Sequence, residues 1–170
     1  MLARTENIIT ERTDREVIHT RIFNAPRDLV WKVWSDPKHI ARWWGPNGFT
    51  TTTYSMDFRP GGVWRFVMHG PDGTDYQNKV VYLEIVKPER IVFKHSGGED
   101  DTEGVSHQTT VTFAAEGNKT KLTMRILFAS PEELQRVVEK VGAIEGGKQT
   151  LGRLAEYVEK ALTAERRNAG

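Results

Sequence analysis

Between Phe49 and Phe128 the sequence falls into six short runs with strand character, joined only by turns and one acidic loop. "FTTTTYSMDF" is β-branched and ends at "RPGG"; "VWRFVMH" follows, and "PDG" turns the chain into "YQNKVVYLEIV". "KPER" leads into "IVFKH", the loop "SGGEDDTEG" into "VSHQTTVTF", and "AAEGNKT" into "KLTMRILF". Spacing this tight leaves no room for crossover helices, so the sheet must be antiparallel. A strand over Glu16 to Phe23, with Ile18, Thr20 and Ile22 on one side, makes seven.

Helices flank the strands. "NAP" opens one with Pro26 near its first position, and Leu29, Val30, Val33 and Trp34 form its stripe. Asp36 can cap a second short helix that begins at Pro37, runs through Ile40 to Trp44 and stops at Gly45-Pro46. Ser130 and Glu133 read as a capping box before a long amphipathic segment carrying Leu134, Val137, Val141, Ile144, Leu151, Leu154, Val158 and Leu162. Gly142, Gly146 and Gly147 interrupt it, so a kink or break is expected there. The order β-α-α-β6-α defines an α+β protein in which the last helix must cover the concave face of a curved sheet. A sheet wrapped around one helix tends to leave an internal cavity.

The chain is read as a single domain over residues 1–170 with a core from about 15 to 165. With 24 basic and 23 acidic side chains there is no footprint for nucleic acid. Cysteine is absent, which excludes disulfides, thiolate metal sites and cysteine nucleophiles. No apolar run reaches the roughly 20 residues of a membrane span, and the N-terminus lacks a signal-peptide core. No membrane insertion and a cytoplasmic location are therefore expected. No sequence motif for a metal, phosphate or dinucleotide is present, and no cofactor is expected.

"RIFNAPRDLVWKVWSDPKHIARWWGP", "DFRPGGVWRFVMHGPDG", "EIVKPERIVF", "VTF", "TKLTM" and "GGKQTLGRLAEYV" together resemble, in order and spacing, the heat-shock protein 90 ATPase activator homologue family. That family belongs to the SRPBCC group, with START-type lipid carriers, pollen-allergen-type proteins and aromatase/cyclases. The resemblance implies a helix-grip fold and a deep pocket between sheet and helix for apolar or amphipathic small molecules. It does not imply one reaction. Many members carry a tryptophan after the glycine early in the last helix, where this chain has Gly146-Gly147-Lys148.

Strand phase nominates the pocket face. Trp64, Phe66 and Met68 share one side of their strand. Ile91, Phe93 and His95 share a side of the next-but-one strand, as do Val105, His107, Thr109, Val111 and Phe113 on the strand after it. His95 and His107 thus fall near one end of the sheet, where they would polarise a ligand carbonyl or exchange protons, or else sit as rim or hydrogen-bonded core histidines. Gly147 lies on the inward helix stripe, either making room for a ligand or packing closely against Trp64 or Trp44. Asp57 and Arg59 read as a turn-fixing pair, Glu84 has no evident partner, and the acidic loop reads as a solvated hairpin tip.

Three functions follow. The first is binding of a small apolar or amphipathic ligand by Trp44, Phe49, Trp64, Phe66, Met68, Tyr76, Phe93, Gly147 and Leu151, with His95 and His107 as polar contacts. It predicts a cavity of at least roughly 300 Å³. The second is a protein-interaction module in contact with a chaperone, and a homodimer is compatible with either. Eukaryotic activators join such a domain to an additional N-terminal one, not seen in this sequence, so this reading ranks lower. The third is a cyclase- or hydrolase-like enzyme using the histidines. The paired tryptophans of "ARWWGP" face different directions on a helix; Trp44, nearer the chain reversal, is assigned to the cavity and Trp43 to the helix pair.

Overall fold

A computed structural model of the chain describes residues 8–97 and 107–169. The strands are β1 (Ile9–Arg12), β2 (Glu16–Phe23), β3 (Thr50–Met56), β4 (Val63–His69), β5 (Asp75–Val86), β6 (Arg90–Gly97), β7 (His107–Glu116) and β8 (Lys119–Phe128). The helices are α1 (Arg27–Ser35) and α2 (Pro37–Ile40), between β2 and β3, and α3 (Pro131–Val141) and α4 (Ala143–Ala169) after β8. The strands form one antiparallel sheet in the order β1-β2-β8-β7-β6-β5-β4-β3, with α4 as the long helix of the grip. Most of the acidic loop after β6 lies outside the described residues.

Among the described residues the sheet has eight strands where seven were expected. The extra one, β1, pairs antiparallel with β2 and carries the core forward to Ile8, which packs against it. Its four residues are mostly exposed, so no alternation announces it. The buried side of β2 is Val17, His19, Arg21 and Phe23, whereas Ile22 is 50% exposed. Both phases of this strand carry apolar residues, and pairing with β8 decides between them. His19 lies opposite Met124 and Arg21 opposite Leu122, both inward on β8.

Local chemistry explains the helix boundaries. The Asp36 side chain accepts from Lys38 N–H at 2.9 Å, and Pro37 opens α2. The helix ends at Ile40 rather than running on to Trp44; a turn carries the chain onward. Ser130 accepts from Glu133 N–H at 3.1 Å at the start of α3. Gly142 takes the left-handed conformation, φ 65°, and its N–H bonds Val138 O, which splits the C-terminal segment into two helices.

The interior is a continuous aromatic and aliphatic cluster under α1, α2 and α4, with a smaller one under α3 around Val17, Phe128, Leu134 and Val137. Trp31, Trp34, Trp43, Trp64, Phe66 and Phe113 fill the α1–α2 end. On the outer rim Arg59 pairs with Asp57 at 2.7 Å, and Arg90 Nε donates to Glu84 at 3.1 Å, which supplies the partner the sequence left open.

Candidate functional site

The two tryptophans of the α2–β3 connection separate. Trp43 is fully buried in the helix pair, and its indole donates to Val33 O at 3.1 Å. Trp44 leans over the sheet, with ring centroids 5.1 Å from Trp64, 6.0 Å from Phe66 and 6.2 Å from His95. The turn that carries it is clamped from α4. Arg153 Nη1 donates to the carbonyls of Gly45 at 2.8 Å, Pro46 at 3.1 Å and Trp44 at 3.4 Å. Burial holds Arg153 below its usual pKa, partly offset by the Glu156 carboxylate. Nothing in the sequence marks this arginine.

Beyond Trp44 the space between sheet and helices opens into a cavity of about 210 Å³. Its floor is Phe93 and His95 on β6, His107 and Thr109 on β7, and Met124, Ile126 and Phe128 on β8. Its roof is the junction of α3 and α4: Val137, Gly142, Gly146, Gly147 and Thr150. Trp44, Gly45, Pro46 and Met68 close one end. The volume falls short of the 300 Å³ expected, because Trp64 and Phe66, stacked with centroids 3.8 Å apart, fill the space beside it.

Of the candidate ligand residues, the structure gathers Trp44, Met68, Phe93, His95, His107 and Gly147 around this cavity. Trp64, Phe66 and Leu151 face inward but do not line it; each is at most 1% exposed and belongs to the solid core. Phe49 and Tyr76 pack on each other outside it, centroids 6.0 Å apart, and Tyr76 is 47% exposed. Tyr76 lies opposite Met68 and shares its face, but it stands at the start of β5, past the rim that the helices cover.

The imidazoles form the polar wall. His95 and His107 are directly paired across β6 and β7, ring centroids 5.2 Å apart in an edge-to-face arrangement. His95 Nε2 is 2.8 Å from Asn78 Oδ1, and β5 thereby fixes the ring from the strand next to its own. His107 packs on Phe128 at 5.3 Å, and its Nδ1 is buried without a hydrogen-bond partner among the described residues. Burial pushes His95 down to about 3, with His107 adding to the effect. Burial pushes His107 down to about 4 against the opposing pull of Glu133. Both rings are therefore neutral near pH 7. Asn78 went unmarked in the sequence because it sits at a polar position of a half-exposed strand.

Gly147 answers to a residue not considered. A Cβ at this position would lie 2.5 Å from Nε2 of His19, so α4 crosses β2 directly over a buried histidine rather than over Trp64 or Trp44. His19 Nδ1 is 2.9 Å from Thr10 Oγ1 on β1, its Nε2 has no hydrogen-bond partner among the described residues, and burial, then the Lys148 charge, lowers its pKa to about 4. Among the described residues no three His, Asp or Glu side chains gather to hold a metal ion.

The profile described as "Activator of Hsp90 ATPase homolog 1-like protein" matches residues 24–159. The chain belongs to this family. Solved structures of the same fold include a solution structure of a protein from Arthrobacter aurescens, 24% identical, with a TM-score of 0.85 over 91% of this chain and 92% of that one. The crystal structure of protein Ms6760 from Mycobacterium smegmatis is 26% identical, with a TM-score of 0.78 over 93% and 99%. A family member from Silicibacter pomeroyi is 20% identical, with a TM-score of 0.69 over 87% and 99%. No curated protein matches the sequence. Among the described residues no helix is long and apolar enough to cross a membrane.

Proposed function

We propose that this family member carries a small, largely apolar molecule in the cavity between β6–β8 and the α3–α4 junction. The observation that carries the reading is the cavity itself: about 210 Å³ of space under three glycines, in a molecule whose other half is tightly filled. Apolar cavities of roughly 150 Å³ accept benzene, so this volume suits a compact ligand rather than a lipid chain or a steroid.

Binding is favoured over turnover by the state of the histidines. A general base works best with a pKa near the working pH. His95 and His107 lie well below it, and the side chain that orients His95 is an amide rather than a carboxylate. The residues taken to hold the ligand are Trp44, Met68, Phe93, His95, His107 and Gly147, with Met124, Ile126 and Phe128 as additional apolar walls.

Native mass spectrometry of protein purified from its own host tests the proposal, with Gly146→Leu as the filled control. Leucine should be accepted there, since among the described residues an added Cβ meets only Pro46, at 4.0 Å, and helix propensity improves. The wild-type protein should carry a bound small molecule that the variant lacks. Bare wild-type protein, or equal loading of both, would count against the cavity as the carrier site.

A further inference from the structure

We infer that the cavity selects a neutral ligand of about one aromatic ring that bears a hydroxyl group, with the hydroxyl on the imidazole wall. This rests on the ligand-carrying reading above and narrows it to a chemical class.

Size sets the first limit. The cavity of about 210 Å³ is somewhat larger than the roughly 150 Å³ that holds benzene, which leaves room for a ring and one or two further heavy atoms. The walls set the second. Trp44, Phe93, Met124, Ile126, Phe128 and Val137 are apolar or aromatic, whereas His95, His107 and Thr109 share the adjoining strands β6 and β7 and the Thr150 hydroxyl across from them is already donated to Gly146 O. The ligand must therefore be apolar at one end and polar at the other.

Charge sets the third limit. Among the described residues no Asp, Glu, Lys or Arg lines this cavity. The two imidazoles are held neutral, so neither offers a compensating cation to a carboxylate. An ionised ligand would be desolvated without a partner. The nearby Glu133 would further oppose an anion, since its field already acts on His107.

Hydrogen bonding sets the last. With Asn78 Oδ1 accepting from His95 Nε2–H, the other ring nitrogen of His95 can only accept; with the amide turned over, it can only donate. His107 lines the same wall, and since its Nδ1 is shut off from the cavity and, among the described residues, unpartnered, a ligand meets this ring at Nε2. A hydroxyl both donates and accepts, so it satisfies the wall in either arrangement. A hydrocarbon cannot.

Calorimetric titration at neutral pH with toluene, p-cresol and benzoate separates the possibilities. p-Cresol should bind on the order of tenfold more tightly than toluene, the worth of one net hydrogen bond. Benzoate should bind at least about a hundredfold more weakly than p-cresol, since it buries an uncompensated charge. His107→Leu should erase the preference for p-cresol while toluene still binds. Should that variant fail to fold, the ring nitrogens of His107 in the wild-type protein serve instead: their nitrogen-15 shifts should move with p-cresol and stay with toluene. Equal affinity for toluene and p-cresol would overturn the hydroxyl class and leave the carrier reading standing. Benzoate as the tightest ligand would overturn the neutral class. If toluene, p-cresol and benzoate all fail to bind, both readings fall.

Discussion

The two ends of the space between sheet and helix are built from the same elements and differ in what fills them. At the α1–α2 end, α4 contributes Leu151, Leu154 and Val158, and the strands answer with Trp64, Phe66 and Phe113, leaving a gap of only about 10 Å³ beside Trp34 and Tyr82. At the α3–α4 end the same helix contributes Gly146, Gly147 and Thr150, and the strands answer with Met68, His95 and His107 around about 210 Å³. The helical segment breaks at Gly142 over the open half and runs unbroken as α4 over the filled one, side-chain volume falls at the break, and Trp44 lines both spaces. The first half holds the fold together, and the second is free to hold something else.

The sharpest way to break this contrast is truncation on both sides of the boundary. Trp64→Ala should cost about 3–5 kcal/mol in urea unfolding, as for large core aromatics generally. Met124→Ala, at a wall that already lacks neighbours on one side, should cost about 2 kcal/mol, the low end for such changes. Equal losses would mean that the open half is packed like the closed one.

Acid should act through the open half and the neighbouring β2. His19, His95 and His107 titrate in the fold at about 4, 3 and 4 against an ordinary value of 6.5. Below 6.5 the unfolded chain therefore binds more protons than the folded one. Stability is fully present above that value and is lost as the pH falls toward the folded values. Each group contributes up to about 1.4 kcal/mol per pH unit. Denaturant midpoints measured from about pH 7 to pH 5 should fall steadily, and His19→Asn should flatten the slope. A flat profile would mean that these histidines are solvated.

The helix glycines separate close approach from open space. Gly147→Ala should destabilise by about 1–3 kcal/mol, since the new methyl meets His19 Nε2 at 2.5 Å. The same change in a His19→Ala background should be neutral or stabilising, and a double-mutant cycle reads the difference. Gly146→Ala, with Pro46 as the nearest atom at 4.0 Å, should stabilise by about 1 kcal/mol through helix propensity alone. Identical effects at the two positions would remove the contact with His19 from the account.

Much of this architecture was legible in the sequence, and what was not has physical causes. Turn chemistry and alternation place the later strands and their inward phases, including His95 and His107 near one end of the sheet, because period-two patterning survives wherever one face is buried; that the two lie directly opposite is added by the register. β1 is too short and too exposed to leave such a pattern. β2 carries apolar residues on both faces, so His19 reached the core unannounced and lies beneath Gly147, where the sequence suggested either ligand space or a tryptophan. Phe49 and Tyr76 have the right chemistry for a pocket wall, but alternation gives the face of a strand and not how far along it the helices extend. Cavity volume depends on the sum of many side chains, so the stacking of Trp64 on Phe66 reduced it below expectation. Arg153 and Asn78 act on backbone carbonyls and on another side chain, contacts that leave no periodic trace.

The central claim is that the open half, and not the filled half or the surface, is where a small molecule enters. Amide, indole and methyl NMR spectra recorded during a toluene titration test it most directly. Saturable shifts are expected at Trp44, Met124, Ile126 and His107, with the Trp43 indole unmoved behind its bond to Val33. Shifts that are absent, that never saturate, or that centre on Trp43 and the exposed residues would contradict it.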